Sequence, residues 1–448
     1  MKKLSTLLLA LLLLCSVCFA EAGGPFDVTL DPNYAEGAAT TLTLEAATDA
    51  ISNELSRYGY NFTGWYHDAE ATTPVSADSP VTGACTLYAG WTEWTEEEKA
   101  GYDFYIEEMT YANDLDLYPT AFTPETFDPY DTLVTTIILE VDFNDYDICS
   151  DIVQEQLVEL KALREGLEQT AETLDASVYY IWGEDMATYG EPGDYYLTYT
   201  NEGFRPFLVP YLVEDQSTVR GNVIVIAGGG YMMRCNLYEG YNIAEYYRDN
   251  GYNAFVLQRR IEPFSRTDAH LDLQRSVRYL RYHAEELGIA KTENMAAVGF
   301  SGGGMTITGT ILDHYGEVSP ADFDPDYTPD EIDQVNSDLQ VALSIYGASG
   351  TLTETENPNI PAHFMTVGGL DSFAAGSVTF FNELQEMGIP AELHIFGGLG
   401  HGFGMANGES DPVKIATGEI TGEPIEGADL WPEMSVDFMD YIFEYTVR

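Results

Sequence analysis

The stretch that most constrains the fold is Met295 to Asp313. An apolar run, Met295-Ala296-Ala297-Val298, leads into Gly299-Phe300-Ser301-Gly302-Gly303, and an apolar, helix-compatible run follows from Met305 to Asp313. A short apolar run bounded by glycine fits a buried strand. A strand, then Gly-x-Ser-x-Gly, then a helix is the pattern of a sharp turn that holds a serine hydroxyl at the carboxyl edge of a sheet. The turn leaves no room for side chains beside the serine, which is why glycines flank it. The serine then sits at the positive end of a helix. Taken alone, these five residues would equally make an ordinary Gly-rich turn.

Three further stretches fall where that turn needs them. Gly221–Ile226 is a strand candidate that runs into Ala227-Gly228-Gly229-Gly230-Tyr231. Backbone amides of such a loop can point at a developing oxyanion, and the expected donors are Gly229 and Gly230, with Gly302 behind the serine. A phosphate-cradling loop is the alternative, but the Gly-Lys-Ser/Thr of that pattern is missing. Ala362–Val367 is a strand that ends at Gly368-Gly369-Leu370-Asp371, delivering Asp371 to the same edge. In a chain with 74 acids an ordinary loop aspartate is the alternative. Leu393–Phe396 is a strand followed by a Gly-rich loop holding His401, one of only seven histidines. The order Ser301, Asp371, His401 is one of the chain orders in which a nucleophile, acid and base recur. His401 would take the proton of Ser301, and Asp371 would fix the imidazole tautomer. Such chemistry requires no metal and no organic cofactor.

The surrounding pattern alternates. Expected strands are Val223–Ile226, Ala254–Leu257, Met295–Gly299, Val341–Ile345, His363–Val367 and Glu392–Phe396, after an antiparallel opening pair, Tyr195–Thr200 and Phe207–Val213. Expected helices are Tyr241–Asn250, Asp268–Leu287, Gly303–Tyr315, Gly376–Met387 and Met434–Tyr445. This predicts an α/β fold with a mainly parallel sheet covered on both faces, and ligands bind such sheets at the carboxyl ends of the strands. Ser319–Asn336 is an acidic insert that either covers the pocket or is a solvated loop. The Tyr- and Trp-rich stretch Tyr179–Tyr199 is a candidate entrance lining.

Residues 177–448 resemble the bacterial α/β-hydrolase esterases of the acetylxylan-esterase-like, xylanase-associated type. The resemblance rests on Ala227-Gly-Gly-Gly-Tyr231, Gly251-Tyr-Asn-Ala-Phe-Val-Leu257, Asp272-Leu-Gln-Arg-Ser-Val-Arg-Tyr-Leu-Arg281, Gly299-Phe-Ser-Gly-Gly303, Gly388-Ile-Pro-Ala-Glu-Leu-His394 and Gly400-His-Gly-Phe403. Two departures stand out: Ala227 replaces the usual proline, and Ser301-Gly-Gly-Gly-Met305 replaces the usual Ser-Ala-Gly-Gly-His. The resemblance implies an α/β-hydrolase fold acting on short acyl esters, such as acetyl groups on xylan or another plant glycan. A serine peptidase of the same fold and a non-catalytic cell-surface binding protein are the competing readings.

The amino-terminal part has a different character. Met1-Lys2-Lys3, the apolar run Leu4–Val17 and small residues up to Ala22 have the form of a secretory signal peptide over residues 1–22. Residues 25–94 hold short alternating aromatic strands between Gly, Pro and Asp turns, the mark of a small β-rich module. Phe62-Thr-Gly-Trp-Tyr66 and Leu87-Tyr-Ala-Gly-Trp91 resemble the Listeria–Bacteroides repeat, a β-grasp-like module of bacterial surface and secreted proteins, which implies a secreted or cell-surface protein with surface contact through this module. Trp65, Tyr66, Tyr88 and Trp91 form either its core or a sugar-stacking face. Residues 95–176 read as a connecting region with a helix over Glu96–Tyr111, a strand over Leu133–Phe143 and a helix over Ile152–Leu174.

Charge and cysteine content narrow the partners. The chain has 19 Lys and Arg against 74 Asp and Glu, a formal net charge of -55. A surface of that sign repels nucleic acid and anionic membranes and suits neutral glycans or small esters. After the leader no run is apolar for long enough to span a bilayer. Cys85, Cys149 and Cys235, the cysteines beyond the leader, have no metal-ligand spacing and allow at most one bridge.

Overall fold

The computed structural model describes residues 25–35, 37–44, 51, 55, 57–76, 79–138, 140–141, 148–190, 204–408 and 424–445. The signal peptide read over 1–22 and the strand expected over Tyr195–Thr200 lie outside these. The chain divides into two compact units, Met1–Tyr105 and Ile106–Arg448.

The first unit is a four-stranded sheet. Its strands are β1 (Phe26–Asp31), β2 (Thr40–Leu44), β3 (Tyr60–Tyr66) and β4 (Cys85–Glu93), in the order β2-β1-β4-β3. The central pair, β1 and β4, is parallel, and the outer pairs are antiparallel. One face closes over Val28, Leu44, Trp65, Val81, Leu87 and Ala89. Trp65 is therefore core rather than part of a sugar-stacking face. Trp91 packs edge-on against Phe62 and donates its indole N–H to the Pro32 carbonyl at 2.8 Å.

Helix α1 (Glu96–Asp116) carries the chain across the boundary between the units. It begins with a reciprocal cap in which Glu98 N–H donates to Thr95 Oγ1 and Thr95 N–H donates back to the Glu98 carboxylate. Three glutamates in its first turn suit the positive end of the helix.

The expected strand over Leu133–Phe143 is corrected: its described start belongs to helix α2 (Pro124–Ile138). The β-branched run looked strand-like, but Phe127, Tyr130 and Ile137 recur at helical spacing and form the buried stripe. Helix α3 (Asp151–Glu165) is capped by Ser150 and stops at Gly166, short of the expected Leu174.

The second unit is built on an eight-stranded sheet. In chain order its strands are β5 (Tyr179–Tyr180), β6 (Phe207–Tyr211), β7 (Gly221–Ile226), β8 (Tyr252–Gln258), β9 (Met295–Phe300), β10 (Val341–Ile345), β11 (Ala362–Gly368) and β12 (Ala391–Phe396). Across the sheet they run β5-β6-β8-β7-β9-β10-β11-β12. The pairings of β6 with β5 and β8 are antiparallel, and every pairing from β8 to β12 is parallel. The antiparallel partner of Phe207–Tyr211 at the outer edge is Tyr179–Tyr180, which places that part of the Tyr-rich stretch in the sheet.

The central strands are apolar throughout because both faces are covered. Val223 and Val225 of β7 join Val298 and Phe300 on one face, while Ile224 and Ile226 join Met295 and Ala297 on the other. This period-two division puts the first face under helices α4 (Asn242–Asp249) and α8 (Trp431–Tyr445). The second lies under α5 (Arg266–Tyr282), α6 (Gly302–Asp313) and α7 (Ala374–Glu386). Strand order, a single antiparallel strand before the parallel set, and a strand–turn–helix after the fifth strand make this an α/β-hydrolase fold.

The acidic insert Ser319–Asn336 is pinned to α5. Arg275, buried in that helix, donates to Asp333 at 2.8 Å and to Asp330, and Arg278 donates to the carbonyls of Gly316, Val318 and Val335. Farther along, Arg260 is wholly buried. Its guanidinium reaches Asp272 at 2.7 Å and Asp268 at 3.3 Å, and Asp272 also accepts from the Trp182 indole at 2.8 Å. A buried charge stripped of its partner costs about 3–5 kcal/mol. Asp272→Ala should therefore destabilise the second unit by about that amount, whereas Asp185→Ala, in an exposed turn, should cost less than about 0.5 kcal/mol. Urea unfolding followed by far-UV circular dichroism measures both.

Candidate active site

The sharp turn at Ser301 follows directly from the backbone. Strand β9 ends at Phe300, and helix α6 begins at Gly302, so Ser301 alone makes the turn, with φ 49° and ψ -116°. A side chain at Gly303 would put its Cβ 2.1 Å from the Ile226 carbonyl oxygen. One at Gly299 would lie 2.4 Å from the Gly303 carbonyl oxygen. Both glycines of the sequence pattern are thus required by close approach. The Ser301 N–H donates to the Ile345 carbonyl at 2.9 Å, tying the turn to β10.

The three side chains read from the sequence meet at this edge. His401 Nε2 lies 2.8 Å from Ser301 Oγ, and His401 Nδ1 lies 2.7 Å from Asp371 Oδ2. A carboxylate only accepts, so Nδ1 carries the proton shared with Asp371, and Nε2 is left to accept from the serine hydroxyl. The other Asp371 oxygen accepts from the Phe373 N–H at 2.9 Å. The acid is enclosed and the base is open: the Asp371 side chain is 1% exposed and that of His401 41%. Two rings hold the imidazole. Tyr346 meets it edge-on at 5.0 Å, and Phe373 stacks on it at 5.4 Å.

The Gly-rich loop after β7 reaches the same point. A Cβ on Gly302 would lie 3.3 Å from the Gly230 nitrogen and 3.4 Å from the Tyr231 nitrogen. Of the three expected donors, Gly230 and Gly302 are therefore adjacent. Gly229 forms the turn itself, with φ 109° and a carbonyl that accepts from Met232 and Met233. Tyr231 is not among the expected donors, because a positive φ favours glycine's freedom. Tyr231 takes up φ 65° without it, its ring buried and its hydroxyl accepting from Thr306 Oγ1 at 3.0 Å. Among the described residues no group of three or more His, Cys, Asp or Glu is placed to hold a metal ion.

Residues 17–90 match the Listeria-Bacteroides repeat domain, a match that begins inside the leader read from the sequence. No curated protein matches the chain. Among solved structures, an acetyl ester-xyloside bifunctional hydrolase from Caldicellulosiruptor lactoaceticus is similar at 22% identity, over 59% of this chain and 96% of its own, with a TM-score of 0.47. A butyrate-bound thermophilic esterase from Thermogutta terrifontis is 18% identical over 55% of this chain and 91% of its own, TM-score 0.40. A carboxylesterase from Lactobacillus plantarum is 14% identical over 54% and 95%, TM-score 0.42. The match to the Listeria-Bacteroides repeat domain precedes, along the chain, the α/β-hydrolase fold set by the strand order above. No helix among the described residues is long and apolar enough to cross a membrane.

Ser301 holds a backbone conformation that costs a non-glycine residue about 1–3 kcal/mol. Ser301→Gly should relieve it, so this variant should unfold at higher urea than Ser301→Ala, by about 1 kcal/mol after the greater freedom of glycine in the unfolded chain is counted. A Ser301→Gly protein less stable than Ser301→Ala would show that the turn carries no such strain.

Proposed function

We propose that this protein is a serine esterase that hydrolyses short acyl esters through Ser301, His401 and Asp371. The observation that carries the reading is the unbroken hydrogen-bonded chain from Asp371 through His401 to Ser301, set beside the amides of Gly230, Tyr231 and Gly302. His401 Nε2 takes the serine proton as Ser301 Oγ attacks the ester carbonyl. The oxyanion that forms is held by backbone N–H groups, and His401 returns the proton to the departing alcohol. Water then repeats the sequence on the acyl-enzyme and releases the acid. Asp371 keeps the imidazole in the tautomer this requires and offsets its charge. The amides contribute about 3–4 kcal/mol per donor, by comparison with an oxyanion-hole donor of a serine protease.

The substrate in this reading is an acetyl or similarly short ester, carried by xylan or another neutral plant glycan. The motif resemblance supports the acyl group, and a net charge of -55 disfavours polyanionic glycans. The protein acts outside the cell or at its surface, which the Listeria–Bacteroides repeat domain at residues 17–90 supports.

The test is hydrolysis of nitrophenyl acetate and butyrate beside acetic acid release from acetylated xylan. Ser301→Ala should lower kcat by at least about 10⁴-fold, and Asp371→Asn by about 10³–10⁴-fold, with the fold unchanged. Turnover of the small esters without release from xylan would keep the chemistry and remove the glycan. Cleavage of aminoacyl nitroanilides with no ester turnover would overturn the reading in favour of a peptidase.

A further inference from the structure

Beneath the serine lies a buried carboxylate that the mechanism above does not use. Glu239 belongs to the wide helical turn Leu237–Tyr241 that leads into α4, and it is 9% exposed. Its Oε2 accepts from the Gly228 N–H at 2.8 Å, and its Oε1 accepts from the Tyr346 hydroxyl at 2.6 Å. That hydroxyl in turn accepts from the Gly404 N–H at 3.2 Å. Each contact falls on a different part of the site. Gly228 opens the Gly-rich loop, and its missing Cβ would lie 3.1 Å from the Ser301 Cβ and 2.4 Å from the Glu239 carboxylate. Tyr346 follows β10, whose last carbonyl anchors Ser301, and its ring packs on His401. Gly404 lies three residues beyond His401 in the same loop.

We infer that Glu239 and Tyr346 are positioning residues that lock the oxyanion loop and the histidine loop to one another across the floor of the site. The inference rests on the serine-esterase reading, since only a reaction at Ser301 gives the link a catalytic consequence. Neither residue donates or accepts a proton in the reaction: Glu239 acts through the Gly228 N–H, and Tyr346 through the Gly404 N–H and the ring it packs on His401. Tyr346 is itself held under constraint, at φ 40° with its N–H bonded to the Thr366 carbonyl at 2.7 Å. Burial first, and then the Glu239 charge, keep its hydroxyl protonated and hence a donor. Arg259 supplies a cation nearby. It is wholly buried, and none of its guanidinium nitrogens has a hydrogen-bond partner among the described residues. Glu239 is one of the groups, with Tyr231, Cys235 and Asp272, that favour its charged form against burial. Oxyanion donors and a general base must be correctly placed at the same instant. A displacement of about 1 Å between them is enough to cost about 100-fold in rate.

The experiment is a double-mutant cycle on the full chain, with sites counted by a fluorophosphonate probe that labels an activated serine. Tyr346→Phe deletes the hydroxyl and keeps the ring. Glu239→Gln keeps the shape but cannot accept both bonds. Each should lower kcat for nitrophenyl acetate by about 10- to 100-fold per labelled site, with KM changed by less than about threefold. The double variant should be no worse than the poorer single one, because both break one link. The inference is overturned if kcat per labelled site stays within about twofold of wild type, if the two losses multiply, or if KM alone rises. Should wild type itself be neither labelled at Ser301 nor active on esters, the esterase reading falls, and this inference falls with it.

Discussion

The site depends on how closely three pieces of backbone approach at the end of β9. The Ile226 carbonyl of β7, the Ser301–Gly303 turn and Gly347 after β10 come so near that side chains are excluded. A Cβ on Gly347 would sit 2.3 Å from the Ser301 carbonyl oxygen, and one on Gly304 2.9 Å from the Gly347 Cα. This contact fixes where the serine oxygen emerges. Because the neighbouring strands are parallel and in register, it also fixes the place from which each following loop departs. Ser344 pairs with Gly299 and with Met365, so the carboxyl ends of β9, β10 and β11 form one edge. Asp371 and His401 need only short loops from that edge to reach Ser301. The strain at Ser301 is sustained by covered strands on both sides and by hydrogen bonds to β10, not by any single side chain.

A second constraint is charge. With 19 cations against 74 acids, arginine is scarce, yet Arg259, Arg260, Arg275 and Arg278 are all buried. Three of them act alike, each fastening an irregular segment to helix α5 or to the strand beside it. Arg260 grips Ala187 and the start of α5, while Arg275 and Arg278 grip the acidic insert. Burial pulls Arg278 down to about 10, still far enough above neutral pH to keep it charged. The surrounding acids make these ion pairs easy to form, and taking them inside ties an acidic loop to α5. The insert Ser319–Asn336 is therefore a segment tied to α5 through Arg275 and Arg278 rather than a free loop.

What the sequence could reveal follows from the range over which each constraint acts. Ser301 was legible because its turn requires glycines within two residues, and Asp371 and His401 because each closes a strand-plus-glycine segment in a fixed order. Val223 to Ile226 was legible as a strand because both faces are buried and every residue is apolar. The segment Leu133–Ile138 misled because β-branched residues favour strands locally, whereas its helix is set by packing with Phe127 and Tyr130 at helical spacing. Tyr231 was missed as a neighbour of Gly302 because nothing in its type announces a positive φ. Glu239 is invisible for a stronger reason. It is one acid among 74, and Gly228 and Tyr346, which its carboxylate joins, lie 11 and 107 residues away in the chain. No local pattern distinguishes it from the solvated glutamates around it. What sets it apart is that the fold buries its carboxylate where the serine turn, the Gly-rich loop and the histidine loop converge, and a carboxylate there is stable only while each oxygen is bonded. The departure from the usual motif at Ala227 and Met305 leaves that arrangement untouched, since Glu239 meets the backbone N–H of Gly228 rather than a side chain of either residue.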